Sequence, residues 1–229
     1  AMLTGFRGIP GSHTLYNKGD QDYEELAKYP HLSGDKVGDG RYEDVNKDGV
    51  LDQNDKTILG DNNPLFTAGF SNSFSYKNFT LDIQFTGSYG AEVFSFYKRM
   101  CGIYHGDRNG MIEQLGRWQS KDQPGDGIHF RPTRTPSGWQ RDPSSAWVQD
   151  ASYLRLRNLT LGYNFDQKVL DKMKMKGLRL YVTGQNLFTI TNYVGYDPET
   201  SSESGLAQGG DYLGYPAARS FIIGANITF

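Results

Sequence analysis

The last ten residues of the 229-residue chain constrain its fold most. In Ser220-Phe221-Ile222-Ile223-Gly224-Ala225-Asn226-Ile227-Thr228-Phe229, an extended backbone puts Phe221, Ile223, Ala225, Ile227 and Phe229 on one face. Ile222, Gly224, Asn226 and Thr228 fall on the other. Successive strand residues point to opposite sides, so this segment is bulky and apolar on one face and small or polar on the other. A strand between lipid and a wet lumen needs that division, and the aromatic last residue suits a membrane interface.

The same period of two recurs upstream. Over 66–77, Phe66, Ala68, Phe70, Phe74 and Tyr76 oppose Thr67, Gly69, Ser71, Ser73 and Ser75. After a tight Lys77-Asn78 connection, Phe79, Leu81, Ile83 and Phe85 oppose Thr80, Asp82, Gln84 and Thr86, which predicts a hairpin with a charge on its polar face. Two more strands are predicted at Tyr153 to Phe165 and Leu178 to Ile190. A change of phase between Leu156 and Leu159 places a bulge near Arg157-Asn158. A weaker strand is expected near Met2 to Ile9.

The connections alternate in length. Lys77-Asn78 is short, 166–177 has room for a helical turn or two, and 90–151 and 191–219 are long. Outer-membrane barrels keep short turns on the periplasmic side and long loops outside, which puts Phe229 at the periplasmic end and the segment before Phe66 outside. Five or six strands do not close a barrel, because an open edge in hydrocarbon leaves backbone groups unpaired at a cost of several kcal/mol each. Other strands are therefore expected to complete it, most simply from an N-terminal portion of the same protein. The first residues, Ala1-Met2-Leu3-Thr4-Gly5-Phe6, carry no signal-peptide pattern, and the natural beginning is expected to lie upstream.

Composition agrees and excludes alternatives. With 28 Gly, 15 Tyr and 13 Phe, turn-rich β structure is favoured over helix. No apolar run approaches the ~18 residues of a membrane helix, which leaves a barrel open. A net charge of −2 with scattered basic residues gives no track for a nucleic acid. Cys101 is the only cysteine, so neither an intrachain disulfide nor a cysteine-based zinc site exists.

The sharpest local motif is Asp44-Val45-Asn46-Lys47-Asp48-Gly49-Val50-Leu51-Asp52-Gln53-Asn54-Asp55. Oxygen ligands from Asp44, Asn46 and Asp48, glycine at the sharp turn, the Val50 carbonyl, then Asp52 and Asp55 match a calcium loop. Clustered carboxylates repel one another unless a cation sits among them. Asp55 stands where glutamate is usual, so the expected Ca2+ is structural and of modest affinity; the other reading is an Asp/Asn/Gly-rich turn. The long segment 90–151 holds Trp118, Trp139 and Trp147 with Arg131 and Arg134, either stacked on a sugar or peptide ligand or packing the loop and anchoring the rim. His13, His31, His105 and His129 show no metal or catalytic spacing, and no Ser/His pair lies on the strands; the chain is not expected to be an enzyme.

Ordered motifs carry a resemblance. Asp44 to Asp52 followed by Ile58-Leu59-Gly60-Asp61-Asn62-Asn63-Pro64, the run Ala151 to Tyr163, then Gly184-Gln185-Asn186-Leu187-Phe188-Thr189-Ile190-Thr191, Gly195-Tyr196-Asp197-Pro198-Glu199, Tyr215-Pro216-Ala217-Ala218-Arg219 and Ile227-Thr228-Phe229 resemble the SusC/RagA family. The likeness spans roughly Gly38 to Phe229. It implies an all-β fold in which residues 1–229 form the C-terminal portion of a large antiparallel transmembrane β-barrel with long extracellular loops. The plug domain and N-terminal strands would lie outside this chain. It further implies a TonB-dependent nutrient importer of the bacterial cell outer membrane, in contact with lipid and capped by a SusD-like lipoprotein. Uptake of a glycan or peptide ligand would be driven by the TonB complex. The competing class is a calcium-stabilised soluble β-domain that binds carbohydrate or mediates adhesion.

Overall fold

A computed structural model of the chain describes residues 5–8, 11–15, 30, 36–101, 110–120, 122–132, 144–199 and 209–229. Its strands and helices run β1 (Gly5–Gly8), β2 (Gly11–Leu15), β3 (Gly40–Tyr42), β4 (Thr57–Asp61), β5 (Phe66–Tyr76), β6 (Phe79–Tyr89), β7 (Glu92–Ser95), α1 (Phe96–Cys101), β8 (Val148–Asp150), β9 (Tyr153–Asn164), α2 (Gln167–Met173), β10 (Gly177–Thr191), β11 (Gly210–Asp211) and β12 (Ser220–Thr228). They fall into two compact units. One comprises Ala1–Asn63, Glu92–Asp150 and Thr200–Gly214; the other comprises Pro64–Ala91, Ala151–Glu199 and Tyr215–Phe229.

The second unit is one open antiparallel sheet in the order β12-β10-β9-β6-β5. The expected strands and the hairpin are all present. Lys77 takes the left-handed conformation the tight turn needs (φ 52). The connection over 166–177 forms α2, whose chain reverses at left-handed Lys174 (φ 55) with buried Leu170 beneath it. Pairing aligns the two faces across all five strands. Phe74, Leu81, Leu161, Val182 and Ile223 share one row, and Ser71, Gln84, Asn158, Gln185 and Ser220 share another on the opposite face.

The predicted bulge is real. β9 skips Arg157 against β6, where Gln84 pairs with Asn158 and Phe85 with Leu156. β10 skips Asn186 and Leu187 against β9. The extra residue returns Leu159 to the face of Leu156, which restores the alternation that the sequence alone breaks.

The two faces differ in chemistry and in bonding. On the apolar side Phe74, Leu161, Val182 and Ile223 are 54%, 51%, 47% and 83% exposed. On the polar side the groups bond to one another: Ser73 to Asp82 at 2.6 Å, Asn158 to Gln84 at 2.7 Å, and Thr160 to Thr183 at 2.8 Å. Exposed apolar side chains on one face and a self-bonded polar face on the other invert the order of a water-soluble sheet, which buries its apolar face.

The first unit follows the ordinary order. β1 pairs with β4, β2 with β3, and β7 lies between β8 and β11. The strand near Met2 to Ile9 thus exists as Gly5–Gly8 but pairs with β4 rather than joining the large sheet. Phe94 and Trp147 are buried at 4% and 3% exposure, with Phe96, Phe130, Ala146 and Val148 packed around them. Segments expected as long loops therefore carry short strands and a small core. Apart from β1, alternation gave no sign of these, because strands of two to five residues hold too few repeats of the period to register.

Candidate functional site

Four segments converge on the polar face near the start of β9. Arg155, only 3% exposed although charged, is satisfied on every side. Its Nε donates to Thr189 Oγ1 at 2.9 Å, one terminal nitrogen to Glu199 Oε2 at 2.9 Å, and the other to Asp197 Oδ1 at 2.5 Å. Arg157, at the bulge, donates to Thr86 Oγ1 at 3.1 Å and pairs with Glu199, which also accepts from the Tyr153 hydroxyl at 3.0 Å. A buried guanidinium is tolerated when its fork is filled by carboxylates and hydroxyls, as it is here.

This clasp fixes the chain beyond β10 to the sheet. Asp197 Oδ1 also accepts from the Glu199 N–H, and Oδ2 accepts from the Ala217 N–H, so one carboxylate joins 197–199 to 215–219. Partial burial works to raise the Asp197 carboxyl. The Ala217 N–H, the Arg155 guanidinium and the Glu199 N–H outweigh it and hold the group below the usual carboxylate range. Beside the clasp lies a pocket of about 410 Å³, with Asn186, Thr189, Tyr196, Asp197 and Arg219 in its wall. Neither clasp nor pocket was anticipated as a site. The signal was two arginines two apart on a polar strand face, with two acids two apart downstream, but nothing local pairs them.

The calcium-type loop is built as a self-braced turn. Asp44 accepts from the N–H of Asp48 at 3.2 Å and of Gly49 at 2.8 Å, Asn46 from the Asp48 N–H at 3.0 Å, and Asp48 from the Val50 N–H at 2.8 Å. Lys47 and Gly49 are left-handed (φ 61 and 87), and a Cβ at Gly49 would meet nothing within 4 Å, so conformation rather than space calls for glycine there. Asp52 caps the short 3-10 helix Gln53–Asp55. Asp55, fully buried, takes the Val45 N–H at 2.9 Å and the Asp52 N–H at 2.7 Å, tying the loop's ends together. Among the described residues no group of three or more His, Cys, Asp or Glu side chains is arranged to hold a metal ion.

Of the tryptophans and arginines singled out in the sequence, Trp118, Trp147 and Arg131 lie in the first unit. The ring of Trp118 covers Gly38, and the Arg131 N–H donates to the Gly38 carbonyl at 2.9 Å. The Arg131 side chain pairs with buried Asp39 at 2.7 Å, and Trp147 lies in the core edge-on to Phe130. These three are engaged in packing; Trp139 and Arg134 lie outside the described residues.

No protein-family model matches the chain. Among curated proteins it is 35% identical over 205 residues to TonB-dependent receptor P3 of Formosa agariphila, covering 86% of this chain and 20% of that one. It is 34% identical over 208 residues to TonB-dependent receptor P26 of the same organism, and 28% identical over 188 residues to TonB-dependent receptor SusC of Bacteroides thetaiotaomicron. The chain spans about a fifth of the length of these curated relatives, 20%, 20% and 17%. Of solved structures, the RagAB peptide importer in its open-open state superposes with a TM-score of 0.72 at 21% identity, covering 98% of this chain and 22% of that one. The closed-closed state superposes at 0.71. The class that fold and faces define is thus the wall of a TonB-dependent transporter barrel. Within it, the chain belongs with the SusC/RagA-type TonB-dependent receptors, spanning a part of one. Its relatives are receptors and transporters, which are not enzymes.

Proposed function

We propose that this chain builds part of the wall and the outer loops of an outer-membrane importer. The importer takes up a glycan or peptide ligand under a SusD-like lipoprotein lid and releases it inward when TonB acts on a plug domain. The observation that carries this is the five-stranded sheet with an exposed apolar face and a self-bonded polar face in register. β5 has 11 residues. At about 3.4 Å per residue and a tilt near 40° it rises roughly 26 Å, matching an apolar band of roughly 25 Å. Phe66 stacks on Tyr89 at one end, and Phe79, Tyr163 and Phe165 cluster at the other, where interfacial aromatics belong. A soluble carbohydrate-binding domain would bury the face of Phe74, Leu161 and Ile223, and no described element of the sheet's own unit covers it.

Co-purification of the full-length receptor with its neighbouring lipoprotein, followed by identification of the retained ligand, tests the importer. A receptor that is folded and monodisperse in plain buffer without detergent removes this reading.

We also propose that the 44–55 loop binds Ca2+ through Asp44, Asn46, Asp48, Asp52, Asp55 and the Val50 carbonyl, with Asp55 also tying the loop's ends through its hydrogen bonds. In support, the turn already has its left-handed residues at Lys47 and Gly49. Metal content and thermal stability of the full-length protein should both fall in Asp48→Ala; unchanged values count against the ion.

A further inference from the structure

The pocket beside the clasp holds a cation that no described residue answers. Arg155 and Arg157 face Asp197 and Glu199, two positive charges against two negative. Both Asp197 oxygens are occupied, Oδ1 by Arg155 and the Glu199 N–H and Oδ2 by the Ala217 N–H. Arg219 stands exposed in the wall of the same pocket without an ion pair or hydrogen bond to any described residue. Its charge is therefore a net surplus at this place.

The backbone that carries Arg219 is fixed in advance. The Ala217 N–H is held by Asp197 at 3.0 Å, and the Ala218 carbonyl accepts the Asn186 side-chain amide at 3.0 Å. Asn186 lies in the bulge of β10 in the left-handed region (φ 50), uncommon for a residue other than glycine. Tyr196, 61% exposed, also lines the pocket. A guanidinium on a fixed backbone, with neutralised surroundings and a tyrosine lining the same pocket, matches a carboxylate, which accepts two parallel N–H donors from the arginine fork.

We propose that Arg219, flanked by Tyr196 and with its segment positioned by Asn186, is a subsite for a carboxylate on the imported ligand. The inference rests on the importer reading and adds to it the charge of the cargo at one point. Two sources carry this chemistry, the chain-terminal carboxylate of a peptide and the acid group of a uronic-acid glycan.

Calorimetry on the detergent-solubilised full-length receptor separates them with two probe pairs: tetra-alanine against its C-terminal amide, and digalacturonate against neutral galactobiose. In one pair the acid should bind roughly tenfold more tightly than its neutral partner, about 1.4 kcal/mol. Arg219→Gln should erase that preference and Arg219→Lys should keep part of it. Tyr196→Ala should weaken both members of the pair together. Absence of acid preference in both pairs overturns the subsite, as does a preference that survives in Arg219→Gln. Either result, in a receptor that still requires detergent, leaves the importer reading standing; loss of the detergent requirement removes the importer reading itself.

Discussion

The two units of this chain obey opposite solvent rules. In the sheet, Phe74, Val182 and Ile223 stand exposed while the charged Arg155 is buried. In the other unit Phe94 and Trp147 are buried, although Ile58, Ile112 and Leu115 stay exposed, and the buried charges Asp39, Asp55 and Asp211 are each held by hydrogen bonds or an arginine. The same amino acids serve both, so hydrophobicity alone does not say where a residue goes. What differs is the medium: a sheet in lipid has no reason to hide apolar side chains, and a polar group there must find partners on its own face.

Four measurements break or sharpen that contrast, the largest effect first. Trp147→Ala should remove about 4 kcal/mol of local stability, as for other buried tryptophans, seen as lost amide protection in β7 and β8. In the sheet, Phe70→Arg should cost about 3 kcal/mol in reversible unfolding from a bilayer, because it puts a charge near mid-height of the lipid face. Its neighbour Ser71→Arg, on the polar face, should change stability by less than about 0.5 kcal/mol. Equal costs at the two positions would mean that the faces are not differently solvated. Gly49→Ala should cost about 1 kcal/mol through its left-handed backbone, read from the thermal midpoint.

The smallest effect is a pH dependence at the clasp. The folded-state pKa of Asp197 is held below the ordinary carboxylate value of about 3.9. Its contribution is therefore complete above that value and is lost as pH falls through the lower folded-state pKa. The stability difference between wild type and Asp197→Asn should be level near neutral pH and shrink on acidification. A difference that grows in acid would contradict the sign.

Much of the sheet was legible because its cause is local. The pleat sets a period of two, so Phe221 to Phe229 declares its face without reference to any neighbour, and Lys77-Asn78 declares its turn. The bulge was legible too, as a break in phase between Leu156 and Leu159. The candidate site was much less legible. The Arg155–Asp197 and Arg155–Glu199 bonds span 42 and 44 residues, and the amide of Asn186 reaches Ala218 across 32. Residue type named these as polar loop and strand positions and no more. Within the 44–55 motif, Asp55 was legible as an acid closing the loop, but not that its oxygens accept the distant Val45 N–H and the Asp52 N–H.

By itself the sequence determined that this chain makes two-faced strands for a lipid–water boundary, because side-chain alternation follows from the geometry of each strand alone. Only the tertiary structure decided that β9 pairs with β6 across the segment from Gly90 to Ser152, that β1 and β7 belong to a separate unit, and that Arg155 gathers Thr189, Asp197 and Glu199. Those choices rest on register, burial and the pairing of distant charges, which exist only once the strands lie side by side.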